Sequence, residues 1–356
     1  MKRPSADAFD DRSRLRVDRA TIEDVARHAS VSVGTASNVL NQRGNVRTER
    51  AARVHEAIVA LRYVPNGVAQ SLRRQRSRVV GLCVPLTSSA YFAALLDAFE
   101  DIASAQGYEV MQVLSRQDPA LEERRVRALI ARKVDGLIVI PSASPQRTFD
   151  LIVGSGVPAV IVDRLSGDSR FDYVTLDDYG AMRSVTRELL KRGHRRLLYV
   201  VRYPALVTTR RRIEAFRATV RRTHGAVAEV CIREPDDEAF TRQVGVILDR
   251  ADRPTAAIGS NSALTLALLK ALRERGVVIP RDLSVIAFDA PDWSQLLTPP
   301  LAVVRPPTRD IARMAWNLLL RRMREPGMVA ERIELSAAIE LTGSVAAVPA
   351  PNSVQR

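Results

Sequence analysis

Between Ser32 and Asn41 the chain sets Val33, Gly34, Thr35, Ser37, Asn38 and Asn41 on the outer or terminal positions of a short segment whose Ala36, Val39 and Leu40 share the other side. None of these outer residues titrates near neutral pH, so they are not built for acid–base work. They offer hydroxyl and amide hydrogen bonds and, at Val33, an apolar contact. Such chemistry recognises a surface, provided that rigid elements aim it.

Three amphipathic helices supply that rigidity. In the first, Ile22, Val25, Ala26 and Ala29 fall at i, i+3, i+4 and i+7, with Thr21 as N-cap and Asp24 as its reciprocal partner. Four residues then reset the chain direction, and Ser32 caps the second helix. A third, from about Thr48 to Leu61, buries Val54, Ile58 and Leu61; because Arg47 cannot cap, its cap is expected at Thr48. Two short helices joined by a tight turn are the layout of a helix-turn-helix DNA reader. Periodicity alone is equally satisfied by three surface helices of a helical bundle.

Charge is an independent clue. The 356-residue chain carries +14 overall. Residues 1–80 hold 16 Lys/Arg against 8 Asp/Glu, so a net +8 sits in less than a quarter of the length. Counterion release makes such a region a phosphate-binding surface. In residues 1–20 acidic and basic residues mix without apolar periodicity, which predicts a disordered basic tail. Arg62, Arg73, Arg74, Arg76 and Arg78, in a stretch free of acids, are the better phosphate candidates.

The motifs TIEDVA at 21–26, VSVGTASNVLN at 31–41 and YVPNGVAQSL at 63–72 resemble, in order and spacing, the headpiece of lac repressor family transcription regulators. The resemblance implies sequence-specific binding of double-stranded operator DNA. It puts Val33, Gly34, Thr35, Ser37, Asn38 and Asn41 at the groove, with Tyr63, Asn66, Gln70 and Leu72 as further contacts. Asn38 replaces an arginine common in relatives; asparagine prefers adenine through N6 and N7, so readout should rest on Asn38 and on Val33, with Thr35, Ser37 and Asn41 on phosphates. Residues 66–73 resemble the hinge helix of the family, with Pro65 at its start and Leu72 in place of the leucine that wedges into the minor groove.

After residue 78 strands alternate with helices. Apolar runs at Val79–Val84, Glu109–Leu114, Gly136–Ile140 and Ala159–Val162 form one series, and those at Leu197–Val201, Ala228–Ile232, Ala256–Gly259 and Val285–Phe288 a second. Two such series predict two parallel-sheet lobes, with ligands at the carboxyl ends of the strands between them. RPTAAIGSN at 253–261, LRERGVVIPRDLSVIAFD at 272–289 and TPPLAVVR at 298–305 resemble the periplasmic-binding-protein-like core of the same family. The expected fold is therefore multidomain: an all-α helix-turn-helix headpiece at 21–64, a hinge helix and linker at 65–77, an α/β core of two parallel-sheet lobes at 78–345, and a tail at 346–356. By the resemblance, lobe 1 takes about 78–176 and 306–335, and lobe 2 about 177–305 and 336–345.

Family members bind a small effector in the cleft. Arg212 matches the arginine that bonds the ligand in sugar-responsive members, Asn261 and Asp289 match polar residues on ligand hydroxyls, and Tyr91 and Phe92 match an aromatic pair near the mouth. Each has a plainer reading: Arg212 as one of three surface arginines, Asp289 as a cap for the following segment, Phe92 as core. Trp293 is placed either closing the pocket or packed in its loop. Ser262, Leu86, Ser89 and Ala90 depart from the family's Asp, Asp and Asn-Pro, which removes two acidic contacts. These departures point to an effector less hydroxylated than a typical hexose, or to an anion such as a sugar acid or phosphate. A purine is disfavoured because no second aromatic is evident to sandwich its ring.

Catalysis finds no support. The residues after Val84 are Pro85, Leu86, Thr87, Ser88 and Ser89, not a glycine-rich phosphate cradle. No nucleophile elbow or metal-ligand spacing occurs, so no cofactor or metal is expected. Cys83 and Cys231 lie in apolar runs, as buried reduced thiols do. No signal peptide or run of 18 apolar residues is present, which predicts a cytoplasmic protein without a membrane partner. A headpiece reads one half-site, so a homodimer is expected; the proline-bearing tail has no leucine heptads for a tetramer.

Overall fold

The computed structural model describes residues 20–41, 46–63, 76–234 and 236–348. The chain divides into two compact units after Ser77.

The first unit is a three-helix cluster: α1 (Ile22–His28), α2 (Val33–Leu40) and α3 (Thr48–Ala60). The capping box read from the sequence is present, with the Asp24 amide donating to Thr21 Oγ1 and the Thr21 amide donating to the Asp24 carboxylate at 2.9 Å. Ser32 caps α2 by accepting from the Thr35 amide at 3.1 Å. Thr48 is not a cap: it is the first helical residue of α3, and Arg47 holds the N-cap position without a side-chain bond. Val25, Ala26, Ala29, Ala36, Val39, Val54 and Ala57 are buried together, with Ile22, Ile58, Leu61 and Tyr63 half-buried against them. The α1–α2 turn depends on Ser30 in left-handed conformation (φ 52°), which lets the Val31 amide reach back to the Ala26 carbonyl at 3.0 Å. That is a Schellman closure with serine where glycine is usual.

The second unit has two six-stranded sheets. The first sheet contains β1 (Val79–Val84), β2 (Glu109–Leu114), β3 (Gly136–Val139), β4 (Ala159–Asp163), β5 (Asp172–Leu176) and β11 (Arg332–Leu335), in spatial order β11-β5-β4-β3-β1-β2. All its pairings are parallel. Helices α4 (Ala90–Ala105), α5 (Pro119–Ala131) and α6 (Gln146–Ser155) connect its strands. The second sheet contains β6 (Arg196–Val201), β7 (Val227–Ile232), β8 (Ala256–Gly259), β9 (Ser284–Phe288), β10 (Ala302–Arg305) and β12 (Ala338–Glu340), in the matching order β12-β10-β9-β8-β6-β7. Its edge strand β12 runs antiparallel to β10. Its helices are α7 (Asp178–Lys191), α8 (Val207–Arg221), α9 (Asp237–Leu248) and α10 (Ser262–Glu274).

Most strands carry the continuous burial of a sheet covered on both faces; β3, β4, β5, β8 and β9 are buried throughout. The chain passes from the first sheet to the second at β5–α7, returns after β10, and crosses again between β11 and β12. The return delivers α11 (Thr308–Arg324), whose Ile311, Ala312, Ala315, Trp316, Leu318 and Leu319 fill the core of the first lobe. Trp316 is wholly buried, edge-on to Tyr108 at 5.6 Å and 82°. Arg78, expected among the phosphate contacts, belongs instead to this unit. Its guanidinium stacks over Tyr108 at 5.0 Å and its amide donates to Asp135 at 3.0 Å.

Candidate functional site

In the first unit, burial of Ala36 and Val39 turns the other side of α2 outward. Val33, Gly34 and Asn38 are exposed and Thr35, Ser37 and Asn41 half-buried. Thr35 and Asn41 are already engaged at the helix ends. The Thr35 hydroxyl lies 2.9 Å from Ser32 Oγ, and Asn41 Nδ2 donates to the Ser37 carbonyl at 2.7 Å. Ser37 Oγ also accepts from Asn41 Nδ2 at 3.3 Å, so Val33, Gly34 and Asn38 form the open strip of α2. Tyr63 packs its ring against the three-helix core and donates its amide to the Ile58 carbonyl at 2.9 Å. Asn66, Gln70 and Leu72 lie outside the described residues, as does the expected hinge helix at 66–73.

In the second unit, a cavity of about 290 Å³ opens at the carboxyl ends of both sheets. Arg212, Asn261, Asp289, Tyr91 and Phe92 all border it. Arg212 is no surface arginine. Its Nε donates to Asp178 Oδ1 at 2.6 Å, its Nη1 to the Ser260 carbonyl at 3.0 Å, and its plane lies 4.1 Å from the Phe288 ring. The neighbouring Arg211 pairs with Glu334 at 2.9 Å. Burial outweighs the attraction of Arg212 and pushes the Asp178 carboxyl up to about 6.

Asn261 is the N-cap of α10, accepting from the Leu264 amide at 2.9 Å. Asp289 does not cap the segment that follows it; it accepts from the Ser262 amide at the start of α10, at 3.1 Å. Burial pushes its carboxyl up to about 6 as well. Tyr91 and Phe92 lie at the start of α4 with ring centroids 5.1 Å apart, and both also belong to the core of the first lobe. Trp293 is half-exposed in the 3₁₀ turn Asp292–Leu296 and is not part of the lining.

Sequence reading missed much of this lining. Asp163 ends β4, and Asp289 follows β9, the strand in the corresponding place of the other sheet. Both are held at left-handed φ, 70° and 44°. Strain of this kind persists only where surrounding structure over-determines it, and it concentrates at binding sites. Arg164 is almost wholly buried, its Nε 3.5 Å from Asp163 and its Nη1 donating to Gln117 at 2.8 Å. Among the described residues, Arg164 Nε and the Tyr91 hydroxyl are buried polar atoms without a hydrogen-bond partner. Burial, reinforced by Asp163, raises the Tyr91 phenol and keeps it a donor.

Carboxylates and aromatics that the sequence reading did not place also border the cavity. The cavity is not poor in carboxylates, since Asp163 joins Asp289 on its wall and Asp178 sits beneath Arg212. Nor does it lack a further aromatic: Tyr203 and Phe288 border it from the second lobe. The signal that could have found Asp163 is positional, a charged residue closing an all-apolar strand at the edge where α/β sheets bind ligands.

Among the described residues no group of three or more His, Cys, Asp or Glu could hold a metal, and no helix is long and apolar enough to cross a membrane. Cys83 and Cys231 are free and buried, and burial raises both thiols.

Residues 21–66 match the bacterial regulatory proteins of the lacI family, and residues 186–345 match the periplasmic binding protein-like domain. The HTH-type transcriptional repressor PurR of Vibrio cholerae is 30% identical over 311 residues, covering 86% of this chain and 92% of that protein. The chain belongs to the lacI family. As a member it is a DNA-binding transcriptional regulator, with the helical headpiece and two-lobed α/β core of that family. The lac repressor dimer bound to operator and the anti-inducer ONPF shares its fold, with a TM-score of 0.81, 23% identity, and coverage of 92% of this chain and all of the other. The transcriptional regulator CelR in complex with cellobiose is 26% identical with a TM-score of 0.67, again covering 92% of this chain and all of the other.

Proposed function

We propose that this lacI-family regulator is a cytoplasmic, non-catalytic repressor that binds a pseudo-palindromic operator as a homodimer, under control of a sugar or sugar derivative held between its core lobes. The observation that carries the reading is the cavity in which Arg212, Asn261, Asp289 and Asp163 converge from both sheets. Fixed donors and acceptors around aromatic rings suit a hydroxylated ligand. The neighbour bound to cellobiose supports the sugar class.

At the DNA, the outward strip of α2 makes base contacts, Asn38 to adenine and Val33 to a thymine methyl. By the family resemblance, Leu72 is the residue assigned to wedge into the minor groove at the operator centre. Effector and operator are linked if the effector binds two lobe arrangements with different affinity.

Selection of genomic fragments by the purified protein at near-physiological salt, with and without neutral sugars, sugar acids and nucleosides, tests the reading. An enriched pseudo-palindrome whose retention changes with a sugar supports it. Control by a nucleoside alone would transfer the site to nucleobases, for which Tyr203 and Phe92 supply ring faces. No enriched sequence under any condition would refute operator recognition.

A further inference from the structure

The lining of the cavity extends beyond the inner polar cluster. One face of α10 borders it, with Ala263, Leu266, Ala267 and Lys270 at i, i+3, i+4 and i+7. Lys270 therefore lies about 12 Å along the helix axis from the Asn261–Ser262 end. Arg202, just beyond β6, and Arg233, just beyond β7, line the same cavity. The Arg233 head is taken up by Asp237 and lies over Phe240 at 5.3 Å. Arg202 and Lys270 are exposed, and no carboxylate among the described residues pairs with either.

The two ends of the cavity thus differ in sign. At the inner end Asp163, Asp178 and Asp289 outnumber Arg164 and Arg212, and an anion there would meet two carboxylates on the wall. At the outer end Arg202, Arg233 and Lys270 face Asp237 alone. Between them runs an apolar floor of Ala263, Leu266 and Ala267, with Leu266 40% exposed. The Tyr91 hydroxyl, buried at the inner end without a hydrogen-bond partner, suits a neutral hydroxylated head there.

We propose that the effector is an anionic sugar derivative bound in one orientation: its hydroxylated ring sits among Arg212, Asn261, Asp289 and Asp163, and its phosphate or carboxylate sits between Arg202 and Lys270. The proposal rests on the effector reading above and adds charge, length and polarity to it. Arg202 and Lys270 are the specificity residues, since they set the preference for a charged end without touching the ring.

The test uses the full-length protein with matched probes: glucose, cellobiose, glucose 6-phosphate and cellobionate. Binding is followed by thermal shift and calorimetry at two salt concentrations. The phosphate or the acid should bind at least tenfold more tightly than its neutral counterpart, with the advantage shrinking at high salt. Lys270→Ala and Arg202→Ala should each remove most of that advantage, weakening the charged probe far more than glucose; both side chains are exposed, so the folded state tolerates the changes. Preference for phosphate over carboxylate, or the reverse, identifies the anion. Neutral sugars binding as tightly as charged ones would overturn this inference and leave the sugar-effector reading standing. So would charged probes whose affinity survives Arg202→Ala, Lys270→Ala. Failure of every probe to bind would overturn both.

Discussion

Arg212 and Asp178 form a buried ion pair, and removing one partner exposes how the site is held together. Asp178 is 3% exposed at its side chain and Arg212 14%, so solvent screens the pair little. Arg212→Ala deletes the bond to Asp178, the bond to the Ser260 carbonyl and the stacking on Phe288. Stranding a buried charge typically costs about 3–5 kcal/mol. Part of that loss depends on pH. With Arg212 present, Asp178 already titrates at about 6; without it the carboxyl rises further, because burial acts unopposed. At pH 5 the group is mostly protonated in both proteins, and the variant lacks two hydrogen bonds and a stacking contact, about 2–3 kcal/mol. Above pH 6 the wild type ionises Asp178 beside its partner, whereas the variant must either carry an unpaired charge or hold the proton. The difference then grows by up to about 1.4 kcal/mol for each pH unit. Urea unfolding of both proteins at pH 5, 6, 7 and 8 measures it. Adding Asp178→Asn to the variant should recover most of the pH-dependent part. A stability difference that stays flat from pH 5 to 8, or a double variant no better than Arg212→Ala, would refute the assignment of Asp178 as the stranded charge.

Other outcomes follow from features described above. Ser30→Gly relieves a left-handed serine in the α1–α2 turn and should stabilise the headpiece by about 0.5–1 kcal/mol in thermal unfolding, since the αL penalty exceeds glycine's entropic cost. His194 is held neutral by burial, with Nδ1 2.9 Å from the Thr255 hydroxyl and Nε2 3.0 Å from the Ala346 carbonyl. Burial places its folded pKa below 6.5, so its stabilisation is full above 6.5 and is lost as pH falls through the folded value. The stability gap between wild type and His194→Gln should accordingly narrow from pH 7 to pH 5 in denaturant titrations. Asn38→Ala should weaken operator binding by about 1–3 kcal/mol and relax preference at one base pair, with nonspecific binding unchanged in competition assays. Equal losses on both DNAs would remove Asn38 from base readout.

The elements that the sequence exposed are those with a local signature. The capping box at Thr21 and Asp24, the Ser32 cap and strands β1 and β2 were readable because hydrogen-bonding side chains and continuous apolar runs declare themselves within a few residues. Strands β5 and β10–β12 and helices α6 and α11 escaped. β11 and β12 are short and only half-buried, and β5 carries Asp172, whose charge disguises a buried strand. That charge is matched by Arg322, 150 residues away, at 2.9 Å. The same distinction divides the cavity. Arg212, Asn261 and Asp289 were found through motif resemblance, whereas Asp163, Arg164, Asp178 and Lys270 acquire meaning only when strands far apart in sequence end at one edge. Helical spacing in α10 does show Lys270 on the face of Ala263, but nothing local says what that face adjoins.

The threefold crossing between the sheets has a consequence for synthesis. The first lobe is begun by residues 79–176 but completed by α11 and β11, which the ribosome supplies only after the whole of β6–β10. At cellular elongation rates that interval is on the order of ten seconds. Throughout it, the sheet face shared by α4 and α11 has only α4 to cover it, and the β5 edge has no neighbour. Apolar surface left exposed in this way is prone to aggregation until α11 and β11 are made. A message truncated after Arg305 would yield not half a regulator but a first lobe whose sheet keeps α4 yet lacks the apolar cover of α11 and the edge strand β11.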